Sequence, residues 1–378
     1  DLAGNALLPI TPVIQAADTI TTAFTITPVA GPFVGSDAAV QLYRADGSEL
    51  TADEDYRVDA SGEEQDGRVL ITLLNGYRGP MLIAVEDESA STADYTDELT
   101  KQAKSLDTKL RTMINVQAPA PEEEPIPVVV SPLTELAVRK AGYAEGDIPS
   151  GLSEADITFN AKVAALFNLN DIDITRTAVT TTLDADFDEA DGLSAGEAYG
   201  KVLAALSVKD SDTGSVRNTI EGLLGEIIET PDAQTGEVTL SFSAAASEEI
   251  AQAENVVDLM QDTADETLGE DALAIAEALK AVIRTAAAQE PYVSEAQLSL
   301  LGVQGVDSNT ISLAHRLLVQ TPDDGSQVDS IDKIDGLLSE ALVALSTIAA
   351  AADANTAATQ VTHAHYSALG YAHLEAAF

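Results

Sequence analysis

The sequence predicts an α+β fold: an N-terminal β-sandwich followed by an α-helical domain. Two observations carry this expectation. Short runs of β-branched and apolar residues, separated by Gly, Asn and Asp turns, fill residues 20–130. Beyond Ser131, apolar residues instead recur at three- and four-residue steps behind Ser caps. The boundary is marked by the stiff, acidic run Ala118-Pro119-Ala120-Pro121-Glu122-Glu123-Glu124-Pro125. Four segments follow: an extended arm 1–19, a sandwich 20–130 with its 118–125 excursion, a first helical region 131–245, and an Ala-rich helical region 246–378.

The arm holds Leu7, Leu8, Ile10, Val13 and Ile14 and reads as extended chain. Such a segment adds a strand either to a neighbour's sheet edge or to its own sandwich. Strand periodicity begins at Ile20–Thr27 and ends at Pro28. Val40–Arg44 alternates and meets the turn Ala45-Asp46-Gly47-Ser48. Arg68–Leu74 ends at Asn75-Gly76, Met81–Val85 has buried-strand composition, and Ile126–Val130 follows the excursion as a strand.

Helices are expected from Pro132 to Ala141, from Ser153 through Phe167, and from Ser194 through Val208. The last opens with a capping box, Ser194 with Glu197 three residues on. Val216–Ile228, Ser247–Thr263, Glu270–Ala288, Ser308–Val319, Asp329–Ala352 and Thr359–Phe378 continue the pattern. The longest apolar run, Ala341–Ala352, is short for a bilayer span, and the first residues lack the basic and apolar regions of a signal peptide.

Charge bounds the partners. The chain carries 63 Asp and Glu against 19 Lys and Arg, a formal net charge of −44. Such a surface repels nucleic acid, anionic membranes and other copies of itself unless salt or cations screen it. With no cysteine, disulfides, thiolate metal sites and cysteine nucleophiles are excluded.

Asp184-Ala185-Asp186-Phe187-Asp188-Glu189-Ala190-Asp191 offers alternating hard oxygen ligands and is the candidate Ca2+ site, with Asp184, Asp186, Asp188 and Asp191 as ligands. An EF-hand is excluded: Glu189 stands where Gly is needed and Ala195 where a bidentate Glu is needed. A different calcium geometry and a solvated acidic loop before a helix both stay open. His363, His365 and His373 cluster in sequence without sharing one helix face. There is no G-x-S-x-G elbow and no glycine-rich phosphate loop. Aromatics at 4% leave little to stack on sugar rings.

Three motifs carry a family resemblance. They are Asp94-Tyr95-Thr96-Asp97-Glu98, Ser131-Pro132-Leu133-Thr134-Glu135-Leu136-Ala137, and Asp191-Gly192-Leu193-Ser194 through Tyr199-Gly200 to Leu206-Ser207. In this order, behind the glycine-flanked strand Gly79–Asp87, they resemble a module of large bacterial cell-surface and biofilm adhesins, over roughly residues 20–228. Ala198 departs from the Lys of that pattern. The resemblance implies an Ig-like or transthyretin-like sandwich and an extracellular, non-enzymatic role, and it supplies no catalytic residues. The expected function is self-assembly on a bacterial surface, as filament, sheath, surface layer or biofilm matrix. The alternative is a calcium- or glycan-binding module of a non-polymerising adhesin.

Overall fold

A computed structural model describes residues 21–33, 38–58, 67–87, 89, 92–117, 124–188, 192–262, 272–321, 328, 331–352 and 361–371. The fold is α+β. The first part holds β1 (Thr22–Pro28), β2 (Ala38–Arg44), β3 (Tyr56–Val58), β4 (Val69–Leu73), β5 (Gly79–Asp87), β6 (Tyr95–Thr96), β7 (Ala103–Lys104), β8 (Leu110–Val116) and β9 (Ile126–Val130).

Two sheets form the sandwich, in the orders β3-β4-β1-β9 and β2-β5-β8, and β6 pairs with β7 in a small hairpin. β1 runs antiparallel to β4, with Phe24 opposite Ile71, and parallel to β9, with Ile26 opposite Val128. Thr22, Phe24, Ile26 and Pro28 of β1 are buried while the residues between them are half-exposed, the period-2 signature of a strand with one face on a core. β5 is buried on both faces. Met81, Ile83 and Val85 join the core between the sheets, and Leu82 and Ala84 pack outward with Val138. This explains its continuous apolar run.

The helical part begins with α1 (Pro132–Lys140), α2 (Glu154–Ile157), α3 (Phe159–Leu166), α4 (Ala195–Thr213) and α5 (Val216–Glu226). A hairpin of β10 (Ile227–Pro231) and β11 (Val238–Phe242) follows. Next come α6 (Ala244–Asp262), α7 (Ala272–Ala286), α8 (Glu295–Leu300), α9 (Ile311–Val319), α10 (Ile331–Ala352) and α11 (His363–Ala368). The single helix expected from Ser153 through Phe167 is divided at Thr158, whose Oγ1 donates to the Ala155 carbonyl at 2.6 Å and competes with the helical ladder.

One apolar cluster joins the sandwich interior to the first helices. Phe24, Ile71, Met81 and Ile114 share it with Val163 of α3 and Phe167 at its C-cap, Tyr199 and Leu203 of α4, and Ile220 of α5. A second cluster holds α6 to α10 together through Val257, Leu279, Val282, Leu318, Ile334 and Leu338. α4 belongs to both: Tyr199, Val202, Leu203 and Leu206 face the first, and Ala204, Ala205 and Val208 face the second. Small residues at 204 and 205 let α6 approach closely.

Candidate functional site

The three motifs of the sequence meet at the junction between sandwich and helices. Ser131 caps α1 with its side chain, and its Oγ lies 2.7 Å from the Tyr199 hydroxyl of α4. That hydroxyl also donates to the Ile174 carbonyl at 3.0 Å. Four residues into α1, Glu135 receives Arg111 of β8 in a two-pronged pair: Nε donates at 2.8 Å and Nη2 at 2.5 Å. Both side chains are fully buried, and Arg111 Nη1 donates further to the Asp147 carbonyl at 2.6 Å. The pair ties the sandwich edge to the first helix.

Gly196 and Gly200 make the third motif fit. A Cβ on Gly200 would lie 1.9 Å from the Thr180 carbonyl oxygen, and one on Gly196 would lie 2.6 Å from that of Ala178. The 178–180 backbone therefore runs directly on α4, and the Thr180 N–H donates to the Gly196 carbonyl at 3.1 Å.

The acidic motif 94–98 is folded inward. Asp97 accepts from the Thr100 N–H at 2.7 Å and from its hydroxyl at 2.6 Å, with Lys104 Nζ at 2.7 Å. Asp94 accepts from the Leu106 N–H at 2.6 Å. Tyr95 stacks on Phe33, ring centres 6.0 Å apart. Glu98 reaches across to the segment before α4, where its Oε2 accepts from the Thr182 N–H at 2.8 Å and hydroxyl at 2.5 Å. Its Oε1 is buried without a partner among the described residues, as is Oδ1 of Asp210 in α4. Burial holds both carboxyls up at about 7, against the hydrogen bonds from Thr182 and Thr219 that favour their charged forms. The cavity beside Glu98 is about 40 Å³ and is also lined by Leu99, Thr182, Met260 and Gln261.

Of the expected calcium ligands, Asp184, Asp186 and Asp188 lie in an exposed turn before α4, and Asp191 lies outside the described residues. Asp184 accepts from the Thr181 N–H at 2.5 Å, and the Asp188 N–H donates to Glu197, the capping-box partner of Ser194. Among the described residues no three His, Asp or Glu side chains gather as a metal-binding group. His365 caps its own helix through Thr362, and His315 Nε2 sits 2.6 Å from the Val293 carbonyl, so these two serve separate local contacts. His373 lies outside the described residues.

A groove of about 560 Å³ lies between the end of β8, α2–α3 and the 169–176 loop. Asn115, Asn160 and Asn170 and the small side chains of Ala161 and Ala165 line it. Asp173, at its rim, accepts from the Thr175 N–H and hydroxyl at 2.9 and 2.7 Å.

Sequence reasoning did not single out Glu98, Asp210 or Asn160 individually. Glu98 was visible only as part of a motif, and Asn160 only as a polar residue on an apolar-periodic helix. Compared with family models, curated proteins and solved structures, the chain has no significant match.

Proposed function

We propose that this chain is a non-enzymatic, extracellular structural protein that self-assembles on a bacterial surface, as the adhesin resemblance implies. The observation that supports it most is the exposed apolar surface of α10. Val343 is 65% exposed on the side away from the second core, with Ala350 exposed two turns on, and Leu345, at 36%, Ala349 and Ala352 are exposed where the seated side runs on past Ala344. The helix is seated on the second core through buried Ile334, Leu338, Ala341 and Ala344, with half-buried Ile331, Leu337 and Ile348 packed beside them. Between Glu340 and Glu375, Asp353 is the single formally charged residue with histidines neutral. On a chain of net charge −44, this is where a second copy approaches with least like-charge repulsion.

Strand addition is the less favoured of the two assembly routes, because three of the four edges of the two sandwich sheets are blunted. β3 is three residues long, the Leu50 N–H donates to the Leu42 carbonyl of β2, and the Val129 N–H of β9 donates to the Thr175 carbonyl. Helix packing is therefore the proposed contact, with salt or divalent cations screening the acidic remainder. α10 is also, by length and composition, the one described helix able to cross a membrane. The test has to separate these occupants.

Sedimentation and electron microscopy of the full chain, at 0.15 and 1 M NaCl, with calcium or with chelator, form that test. Assembly is expected to grow with salt or calcium and to fall in the variant V343D/L345E, which charges the two most apolar exposed positions of the helix, with circular dichroism unchanged. A persistent monomer under all conditions, or a chain that instead floats with neutral phosphatidylcholine vesicles, overturns the proposal.

A further inference from the structure

A groove of about 410 Å³ lies between α4, α6 and α7, and its charge runs against that of the chain. Lys209 of α4 and Lys280 and Arg284 of α7 line it, against two carboxylates, Asp212 and Glu249. Over the whole chain, acids outnumber bases 63 to 19. Val208, Ala253, Val256 and Ile283 are buried and give the groove an apolar floor.

The three cations are not equivalent. Lys209 is paired with Glu249. Lys280 is 9% exposed, and its three donors are used: Nζ donates to Ser211 Oγ at 2.7 Å, to Asp212 Oδ1 at 2.9 Å and to Glu277 Oε1 at 3.1 Å. The Arg284 guanidinium makes no hydrogen bond or ion pair among the described residues. Its Nε is buried without an acceptor, and its two Nη groups are open to the groove.

The neighbours sharpen this demand. Lys280 stands one turn before Arg284 on the same helix face, so two like charges oppose each other at i and i+4. The last turn of α7 favours a cation through the helix dipole, which accounts for the positive charge and leaves the guanidinium donors unmet. The carboxylate of Glu248, on α6, is engaged elsewhere: Gln252 Nε2 and Gln289 Nε2 donate to its Oε1 at 3.2 and 3.0 Å. An unpaired guanidinium in so acidic a chain calls for an anion from outside it.

We infer that this groove binds a small monocarboxylate, its carboxylate held end-on by the two Nη groups of Arg284 and its body lying over the Val256 and Ile283 floor. The planar fork of a guanidinium matches a carboxylate in two parallel hydrogen bonds. One negative charge is specified, because Arg284 is the groove's one unpaired cation and a second charge on the ligand meets Asp212 and Glu249. The volume falls within the roughly 300–1,000 Å³ of small-molecule sites. No residue of α10 lines the groove, so the site stands apart from the proposed contact between copies.

The test is a titration of the full chain in 0.15 M NaCl, read from the arginine Nε–H resonances by NMR. Hexanoate, galacturonate, neutral galactose and the dianion glutarate are the probes. The resonance missing from R284Q is expected to move with hexanoate or galacturonate and to stay still with galactose. R284Q is expected to bind the monocarboxylate at least tenfold more weakly, with circular dichroism unchanged. R284K, which keeps the charge without the fork, should fall between. Tighter binding of hexanoate supports the site with the apolar floor as its second determinant; tighter binding of galacturonate supports it with Gln252 and Gln289 in that role. No movement at Arg284 with either monocarboxylate, equal binding of galactose, equal binding by R284Q, or glutarate binding more tightly than both monocarboxylates overturns the proposal.

Discussion

Replacing Glu98 by Gln should reverse part of the pH dependence of stability. The carboxyl is 3% exposed and is held at about 7 by burial, against 4.5 in open chain. Its folded-state value is raised, so its stabilising contribution is complete below the unfolded value and is lost as pH rises through 7. In numbers, each unit is worth roughly 1.4 kcal/mol, so about 2–3 kcal/mol disappears between pH 5 and pH 8. Gln mimics the protonated acid. Its oxygen keeps the hydrogen bonds from Thr182, and its NH2 takes the place of the O–H at the partnerless position. The variant should therefore lose less stability than the parent between pH 5 and pH 8, by about 2–3 kcal/mol. Urea unfolding of both proteins at each pH in 1 M NaCl measures this, because a Debye length of about 3 Å there suppresses the background repulsion of the acidic surface. Parallel stability profiles for parent and variant would refute a buried, proton-holding Glu98.

Asp210→Asn should shift the same profile in the same direction, since burial lifts that carboxyl from 3.8 to about 7. Arg111→Met should cost about 3–5 kcal/mol in urea unfolding by leaving Glu135 uncompensated in the core, and R111M/E135L should recover most of it. Gly200→Ala should cost at least about 1–3 kcal/mol, because its Cβ meets the Thr180 carbonyl and either α4 or the 178–180 segment must shift; a neutral result by thermal melting would refute that close approach. Calcium titration followed by calorimetry should give binding heat that is lost in D184N/D186N/D188N; identical traces would remove the acidic turn as a cation site.

Much of the secondary structure was legible in the residues because its causes are local. Ser131, Ser153 and Ser194 each cap a helix through contacts within three residues, and the alternation in β1 records a single buried face. β8 escaped notice because Arg111 interrupts its apolar pattern, and only Glu135, 24 residues away, makes that charge tolerable. The β10–β11 hairpin was missed although Val238–Phe242 alternates behind Gly236; Asp232 folds its turn by accepting from the Gln234 and Thr235 N–H groups.

What the sequence determined alone is the class, the caps, the charge balance and the order of three motifs. Tertiary structure decided what those motifs are for. Asp94 to Glu98 stands in the sequence as an acidic motif with no stated partners, and Asp94, Asp97 and Glu98 are buried because the fold brings Leu106, Thr100 and Thr182 donors to them. The sharing of α4 between two cores and the unpaired oxygen of Asn160 likewise depend on partners far along the chain. Local pattern specifies elements because propensity and capping act over a few residues. Burial of a charge or a polar atom is set by whichever distant group arrives to meet it.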